Sequence, residues 1–190
     1  MAYLKEKWRL FPMAVIKCII FGSISKEKGY SRAIEVIKKN KNIHLTIVGP
    51  LWNPIEKPTS DSLKKLSKLN KNLSFEERKL SEEEFKEYAK NSDILLFPYL
   101  TTSQSGMFHR VIGYNKPIIA WKLPFFQEME KKYNACLTVN SIEDLEKAII
   151  SISKNKKLKQ KLITGLKKLR KETSWEKVAE MHIELYKNLF

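Results

Sequence analysis

Residues 16–50 read IKCIIFGSISKEKGYSRAIEVIKKNKNIHLTIVGP and contain the clearest secondary-structure pattern of the chain. The stretch begins with an apolar run, residues 16–21, that only Lys17 interrupts, and a second, mostly apolar run, residues 43–48, precedes Gly49 and Pro50 at its end. Apolar runs of this length are typical of strands that a parallel sheet buries on both faces. Apolar residues also recur at helical spacing between the two runs: Tyr30, Ala33, Ile34 and Ile37. The stretch therefore predicts a strand, a helix and a second strand parallel to the first.

The same alternation continues outward from this unit along the chain. Four more apolar runs predict strands: residues 73–75, 93–97, 117–121 and 136–139. Amphipathic segments predict the helices, and Ser81 with Glu84 has the spacing of a capping box before one of them. This order predicts an α/β fold, a Rossmann-like doubly wound parallel sheet of about six strands with helices on both faces. The strand that starts near Ile16 should lie at its centre.

The length of 190 residues suits a single domain with a full core. We expect residues 1–15 to be an N-terminal connector and residues 16–190 to form one Rossmann-like domain. The last helix has an apolar face that we expect to pack against the core. That face carries Trp175, Val178, His182, Leu185 and Leu189.

Composition and targeting signals indicate an ordinary globular protein. Hydrophobic residues make up 43% and charged residues 30%, which argues against disorder. No run approaches the roughly 20 apolar residues of a membrane span, and the early Glu6 and Arg9 do not suit a signal peptide. We therefore expect a cytoplasmic location. Cys18 and Cys136 lie in apolar segments, which predicts buried free thiols.

The net charge of +15 has three candidate explanations: nucleic acid, an anionic membrane surface, or a phosphorylated substrate. The densest basic stretch runs from Lys154 to Lys171, with nine Lys or Arg and no acid, but leucines recur through it at near-helical spacing. The pattern therefore favours a solvated helix face. Peripheral contact with an anionic membrane stays open, through this stretch or residues 8–11. Nucleic-acid recognition motifs are absent, which makes a nucleic-acid partner the least favoured explanation.

Parallel sheets bind ligands beyond the carboxyl ends of their strands, which selects four loops: residues 22–29, 49–53, 75–78 and 99–107. The first loop combines small and basic residues before a helix N-terminus, so it suits either a diphosphate or an ordinary turn. The fourth loop is rich in hydroxyl groups and precedes a helix that carries His109 and Arg110. Its amides could hold phosphate oxygens that Arg110 neutralises, or Arg110 could simply point into solvent.

Other catalytic schemes find little support in the sequence. His44, His109 and His182 lie far apart without metal-ligand spacing, and no GxSxG elbow is present. The chain also lacks a D-x-D pair. We therefore expect no metal and no cofactor.

Four collinear runs resemble the C-terminal half of the family 4, or group 1, GT-B glycosyltransferases. These runs are FGSISKEKGYSRAIEVIKKNKNIHLTIVGP (residues 21–50), LSEEEFKEYAKNSDILLFPY (80–99), SGMFHRVIGYNKPIIA (105–120) and TSWEKVAEMHIELYKNL (173–189). The resemblance covers about residues 16–190 and implies a nucleotide-sugar-binding domain. In the family, an Arg and a Lys of the first loop grip the donor diphosphate. This chain keeps Lys28 and Gly29 but has Ser23 where the family has the Arg.

The resemblance also implies a set of donor-binding residues. In the family, two glutamates eight positions apart bind the donor sugar and ribose, and alignment on Lys116 and Pro117 places Thr102 and Arg110 there. Lys28 and Arg110 are the candidates for catalysis. The donor-binding candidates are Gly22, Ser23, Lys28, Gly49, Phe75, Thr102, Gln104, Ser105, Gly106, Met107 and Arg110.

The function that this resemblance implies is that of a glycosyltransferase component which binds a nucleotide sugar as its substrate. Transfer would retain configuration and need no metal, and a partner chain or a segment outside these residues would supply the acceptor site. The alternative is a non-catalytic, degenerate glycosyltransferase-like module, since both glutamates and the Arg are replaced. Whether the chain is an enzyme therefore stays open at this point.

Overall fold

A computed structural model describes residues 15–189. Within this range the six strands form one sheet in the order β3-β2-β1-β4-β5-β6, and every neighbouring pair is parallel. The strands are β1 (Ile16–Phe21), β2 (Ile43–Gly49), β3 (Leu73–Glu77), β4 (Ile94–Phe97), β5 (Ile118–Trp121) and β6 (Leu137–Val139). The predicted fold class and the central position of the first strand are confirmed. The expected connector lies outside the described residues, apart from Val15.

Helices cover both faces of the sheet. They are α1 (Tyr30–Lys39), α2 (Lys57–Leu69), α3 (Glu82–Asn91), α4 (Gly106–Val111), α5 (Pro124–Tyr133), α6 (Ile142–Lys154), α7 (Lys156–Glu172) and α8 (Trp175–Lys187). Apolar residues of α1, α2 and α6 pack on one face, and those of α3, α4 and α5 pack on the other. Alternate residues of β1 pack in the two cores, because successive side chains of a strand point to opposite faces of the sheet. Helix α7 contributes to both cores, since Leu162 packs in the first while Leu166 and Leu169 pack in the second.

Two features of the helices differ from the sequence prediction. Helix α5 was not predicted, although Phe126, Met129 and Tyr133 bury one of its faces and Pro124 stands at its first turn, where proline favours helix initiation. The expectation that α8 packs into the core is wrong, because α8 buries none of its residues against the described chain. Trp175, for example, is 87% exposed. Amphipathic periodicity identifies an apolar face but not the surface that covers it.

Two smaller expectations are confirmed. Cys18 and Cys136 are buried free thiols, and burial raises the pKa of both. The basic stretch is a helix face, because α7 buries three of its four leucines and exposes most of its lysines. Of the helices in residues 15–189, none has the length and hydropathy that a membrane span requires.

Candidate functional site at the carboxyl edge of the sheet

The loops that follow β1 and β4 are joined through their backbones. Gly29 ends the short 3₁₀ turn Lys26–Lys28 with a φ of +64°, and a Cβ atom placed on it would lie 2.0 Å from the carbonyl oxygen of Pro98. The backbone N–H of Leu100 donates a hydrogen bond to the carbonyl of Glu27 at 2.8 Å. The Arg32 guanidinium donates to the carbonyl of Pro98 at 3.0 Å. These contacts fix the two loops side by side.

A second close approach joins the loops after β1 and β2. A Cβ atom on Gly49 would lie 1.7 Å from the carbonyl oxygen of Gly22, so only glycine fits at this position. Gly22 itself has a φ of +121° and donates its N–H to the carbonyl of Val48 at 3.3 Å. Gly49, one of the predicted donor-binding residues, therefore packs directly against the backbone of the first loop at Gly22.

A polar cavity of about 480 Å³ opens between the first and fourth loops. We call it the Lys28 cavity, and its lining consists of Glu27, Lys28, Tyr99 and residues 101–107. The ammonium of Lys28 donates a hydrogen bond to the Tyr99 hydroxyl at 2.8 Å and lies 4.0 Å from the centre of the Tyr99 ring. It also borders Gly22, because a Cβ atom placed there would lie 3.6 Å from Nζ. This side chain belongs to the cavity wall.

The charge of Lys28 is poorly compensated. Burial lowers the pKa of Lys28, and no residue of 15–189 forms a salt bridge with it. Its partner Tyr99 is neutral, because burial raises the pKa of the phenol. A phenol hydroxyl and a π face stabilise an ammonium less than a carboxylate does. An anion that enters the cavity would therefore meet a partly desolvated cation.

The fourth loop supplies neutral polar groups. Ser105 caps α4, since its hydroxyl accepts a hydrogen bond from the N–H of Phe108 at 3.1 Å. The amides of Gly106 and Met107 belong to the first turn, where an N–H has no acceptor within its own helix. The Thr102 hydroxyl donates to the carbonyl of Gln104 at 2.5 Å. The loop can thus present both donors and acceptors to a ligand.

A second group of cations lies beyond the carboxyl end of β3 and at α4, and we call it the arginine cluster. Arg78 binds Glu76 at 3.1 Å and Glu84 at 2.7 Å. Arg110 binds Glu82 at 2.5 Å, and its guanidinium lies 4.0 Å from the centre of the Phe85 ring. The N–H of Ser81 and the Arg78 guanidinium lower the pKa of the Glu84 carboxyl. In this cluster each arginine has a carboxylate partner.

The structure separates the predicted site residues into two sets. The Lys28 cavity brings together Lys28, Thr102, Gln104, Ser105, Gly106 and Met107, with Gly22 beside them. The others lie apart from its lining. The carbonyl of Ser23 accepts from the Tyr30 hydroxyl at 3.5 Å, and Phe75 pairs with Ile47 in the sheet. Arg110 lies in the arginine cluster.

Four lining residues were not among the predicted candidates, although all stand within the loops that the strand ends selected: Thr101, Ser103, Glu27 and Tyr99. Of these, Glu27 and Tyr99 make the contacts that hold the cavity wall together. Their roles depend on contacts between segments about 70 residues apart, which the local pattern does not encode. As for metals, no group of three or more His, Cys, Asp or Glu residues in 15–189 is arranged to hold an ion. The absence of a metal or cofactor from the reaction stays a prediction.

The chain shares its fold with several solved structures. The C-terminal domain of LpcC, a glycosyl transferase group 1 family protein from Francisella tularensis, matches with a TM-score of 0.68 at 18% identity, over 88% of this chain and 91% of that one. Sucrose-phosphate synthase from Thermosynechococcus elongatus matches with a TM-score of 0.75 at 17% identity, over 100% of this chain and 49% of that one. Anabaena HepE, solved with UDP and glucose, matches with a TM-score of 0.74 at 12% identity, over 98% and 51% of the two chains.

This chain thus spans about half the length of the synthase and of HepE. At these identities the structures show the fold alone. No curated protein sequence matches the chain. The sequence model described as "Glycosyl transferases group 1" matches residues 9–169, which is most of the chain. The chain belongs to the group 1 family of glycosyl transferases.

Proposed function

We propose that this chain is the donor-binding half of a glycosyltransferase and holds a nucleotide-activated sugar in the Lys28 cavity. The observation that carries the proposal is the Lys28 ammonium, which is partly buried, has no salt bridge within residues 15–189 and faces a polar cavity. A diphosphate would replace the solvation that the ammonium lacks, through charge-assisted hydrogen bonds. The amides of Gly106 and Met107 would serve as further donors.

The same groups suit the chemistry of sugar transfer. When the bond between the sugar and the diphosphate breaks, negative charge builds up on the departing phosphate oxygen. Lys28 and the loop amides are already in place to stabilise that charge, so little reorganisation is needed. We propose transfer with retention of configuration and without a metal ion, with the acceptor site supplied by residues outside this sequence.

A panel of UDP, GDP, ADP and their sugar conjugates tests this function by thermal shift. A ligand at one hundred times its Kd stabilises a protein by about 2.7 kcal/mol, which for this chain length corresponds to roughly 5–10 °C. We expect one base to give this shift, with both the diphosphate and its sugar conjugate. The absence of any shift across the panel would reject the donor-binding function.

The alternative function is a degenerate module that binds a nucleotide without turnover. One observation favours it: Arg110, the second candidate for catalysis, is held by Glu82 and lies outside the cavity lining. Slow hydrolysis of the bound nucleotide sugar by the isolated chain separates the two functions. Hydrolysis that disappears in the Lys28→Ala variant supports the transferase, and tight binding without hydrolysis supports the module.

We also propose that the basic face of α7 contacts an anionic surface. This helix carries eight Lys or Arg and one Glu, and most of these cations are exposed. Exposed charges act over about 8–10 Å at physiological ionic strength, so such contact should be sensitive to salt. Flotation with phosphatidylserine vesicles should show binding at low salt and release at high salt. A protein that stays unbound at low salt would leave the lysines as a solubilising surface.

A further inference from the structure

The side chains that line the Lys28 cavity differ in their strength as hydrogen-bond acceptors. The hydroxyl groups of Thr102 and Ser105 already take part in hydrogen bonds within their own loop, to the carbonyl of Gln104 and from the N–H of Phe108. Both are neutral, so any hydrogen bond that they accept from a ligand is of the weaker kind. The one carboxylate among the described lining residues is that of Glu27. A sugar is a dense set of hydroxyl donors, and a carboxylate is the strongest acceptor that a side chain offers them.

The backbone of Glu27 is fixed in position without the use of its carboxylate, and its side chain is exposed. Its N–H donates to the Ser25 hydroxyl at 3.3 Å, and its carbonyl accepts from the N–H of Leu100 at 2.8 Å. The carboxylate itself has no hydrogen bond or salt bridge with any residue of 15–189. The nearby Glu56 differs, because its carboxylate accepts from the N–H of Lys26 at 2.9 Å and so holds the turn. The backbone of Glu27 is therefore anchored, while its charged end is available to a ligand.

Lys28 and Glu27 are neighbours of opposite charge, and both line the same cavity. The Glu27 charge acts on the Lys28 ammonium and opposes the effect of burial on its pKa. A diphosphate is attracted by the ammonium and repelled by the carboxylate, whereas a neutral hydroxyl can donate to the carboxylate. The two charges therefore suit the two parts of a nucleotide sugar.

We infer that Glu27 is a specificity-determining residue that accepts a hydrogen bond from a hydroxyl of the donor sugar, on the same cavity where Lys28 binds the diphosphate. This inference rests on the proposed function. It also predicts effects of opposite sign for two related ligands. Removal of the carboxylate weakens binding of the sugar conjugate and leaves binding of the free diphosphate equal or tighter.

The experiment is calorimetric titration of the wild-type chain and of Glu27→Ala and Glu27→Gln, with three ligand pairs: UDP and UDP-glucose, GDP and GDP-mannose, ADP and ADP-glucose. For the pair that binds, Glu27→Ala should raise the Kd of the sugar conjugate about tenfold, the loss of one hydrogen bond to a charged group. Glu27→Gln should lose less affinity for the sugar conjugate, since its amide oxygen can still accept a hydrogen bond. In both variants the Kd of the free diphosphate should stay within twofold or fall.

The matched control is Glu35→Gln, which removes the same charge from α1. Glu35 pairs with Lys38 at 2.6 Å and lies outside the cavity lining, so both Kd values should stay within twofold. Two results would overturn the inference without rejecting diphosphate binding by the wild-type chain. In one, Glu27→Ala loses affinity equally for the diphosphate and for its sugar conjugate. In the other, the wild-type chain binds diphosphates but none of the sugar conjugates. A wild-type chain that binds none of the six ligands would instead reject the proposed function, and the inference with it.

Discussion

On one side of the carboxyl edge the Lys28 ammonium contacts a phenol hydroxyl and its ring, while on the other side two arginines contact three carboxylates. The Lys28 cavity thus holds a cation that has no salt bridge within residues 15–189 and is influenced only by the nearby charge of Glu27, whereas each cation of the arginine cluster is paired with a carboxylate. An incoming diphosphate gains most where it does not have to displace an existing anion. The number of cations at a site therefore predicts anion binding less well than the degree to which neighbouring carboxylates neutralise them.

The two regions also differ in what holds them together. Backbone contacts at Gly29 and Gly49 position the cavity, whereas ion pairs between side chains position the arginine cluster. Exposed ion pairs are individually weak, with typical values of about 0–1 kcal/mol. We therefore expect the cavity to be sensitive to single glycine substitutions and the cluster to tolerate the loss of one charge.

The largest expected effect is that of Gly29→Ala. The added Cβ atom would lie 2.0 Å from the Pro98 carbonyl oxygen at a φ of +64°, so strain and overpacking together should cost about 3 kcal/mol or more. The free energy of unfolding from urea titration measures this. Gly106→Ala is the control, because its Cβ atom would meet nothing within 4 Å. Equal stability of the two variants would show that the loops are not joined at Gly29.

Much of this architecture could be predicted from sequence. The mostly apolar runs of β1 and β2 indicated parallel strands that are buried on both faces. In β2 the two polar residues, His44 and Thr46, are buried as well. The prediction for β3 stopped at Phe75, but the strand continues through Glu76 and Glu77, which an edge strand accommodates at its end. Periodicity alone did not find α5.

The candidate site could be predicted only in part. The rule that ligands bind beyond parallel strands located the loops, and glycine and hydroxyl content pointed to the residues within them. The cavity wall depends on Leu100 bonding to Glu27 and on Tyr99 meeting Lys28, contacts between residues far apart in the chain. The pairing of Arg110 with Glu82 likewise joins two helices. Long-range contacts of this kind decide which charges are compensated, and sequence periodicity carries no information about them.

The second-largest expected effect is the difference between removing Lys28 from the cavity and removing Arg110 from the arginine cluster. Lys28→Ala removes a charge-assisted contact and should weaken nucleoside diphosphate binding by about 1.5–3 kcal/mol, roughly 10- to 150-fold in Kd. Arg110→Ala should change the Kd by less than about threefold, because Glu82 already neutralises the charge of Arg110. Calorimetry with the diphosphate that binds measures both. A larger loss in Arg110→Ala than in Lys28→Ala would reverse the comparison.

A smaller effect concerns pH. Burial lowers the pKa of Lys28, so its proton is lost below the pH of about 10.4 at which ordinary lysines titrate. Diphosphate affinity should therefore fall as pH rises through the pKa of free Lys28, by at most about tenfold per pH unit. The lowered pKa also means that the charged form of Lys28 opposes folding. The free energy of unfolding should therefore rise as the pH increases from the pKa of Lys28 in the folded chain to its higher pKa in the unfolded chain.

The control for this pH dependence is Lys28→Arg, whose guanidinium stays protonated throughout the range. Titrations between pH 7 and 10 give the ratio of the two affinities, from which ionisation of the ligand cancels. We expect the ratio to change with pH in favour of the arginine variant. A constant ratio would mean that the Lys28 ammonium does not titrate in this range or does not contact the diphosphate.

The smallest effect arises from releasing Arg110. Glu82 is an exposed partner, with 76% of its side chain accessible, so its pair with Arg110 is worth only about 0.2–1 kcal/mol. Glu82→Gln leaves the guanidinium over the Phe85 ring but removes its neutralising charge. If compensation is what distinguishes the arginine cluster from the Lys28 cavity, this variant should tighten diphosphate binding by about two- to threefold at low salt, with the gain reduced as salt increases. The double variant Glu82→Gln, Arg110→Ala should lose that gain. A gain that persists in the double variant would trace to the change in net charge, and Arg110 would then have no part in attracting the ligand.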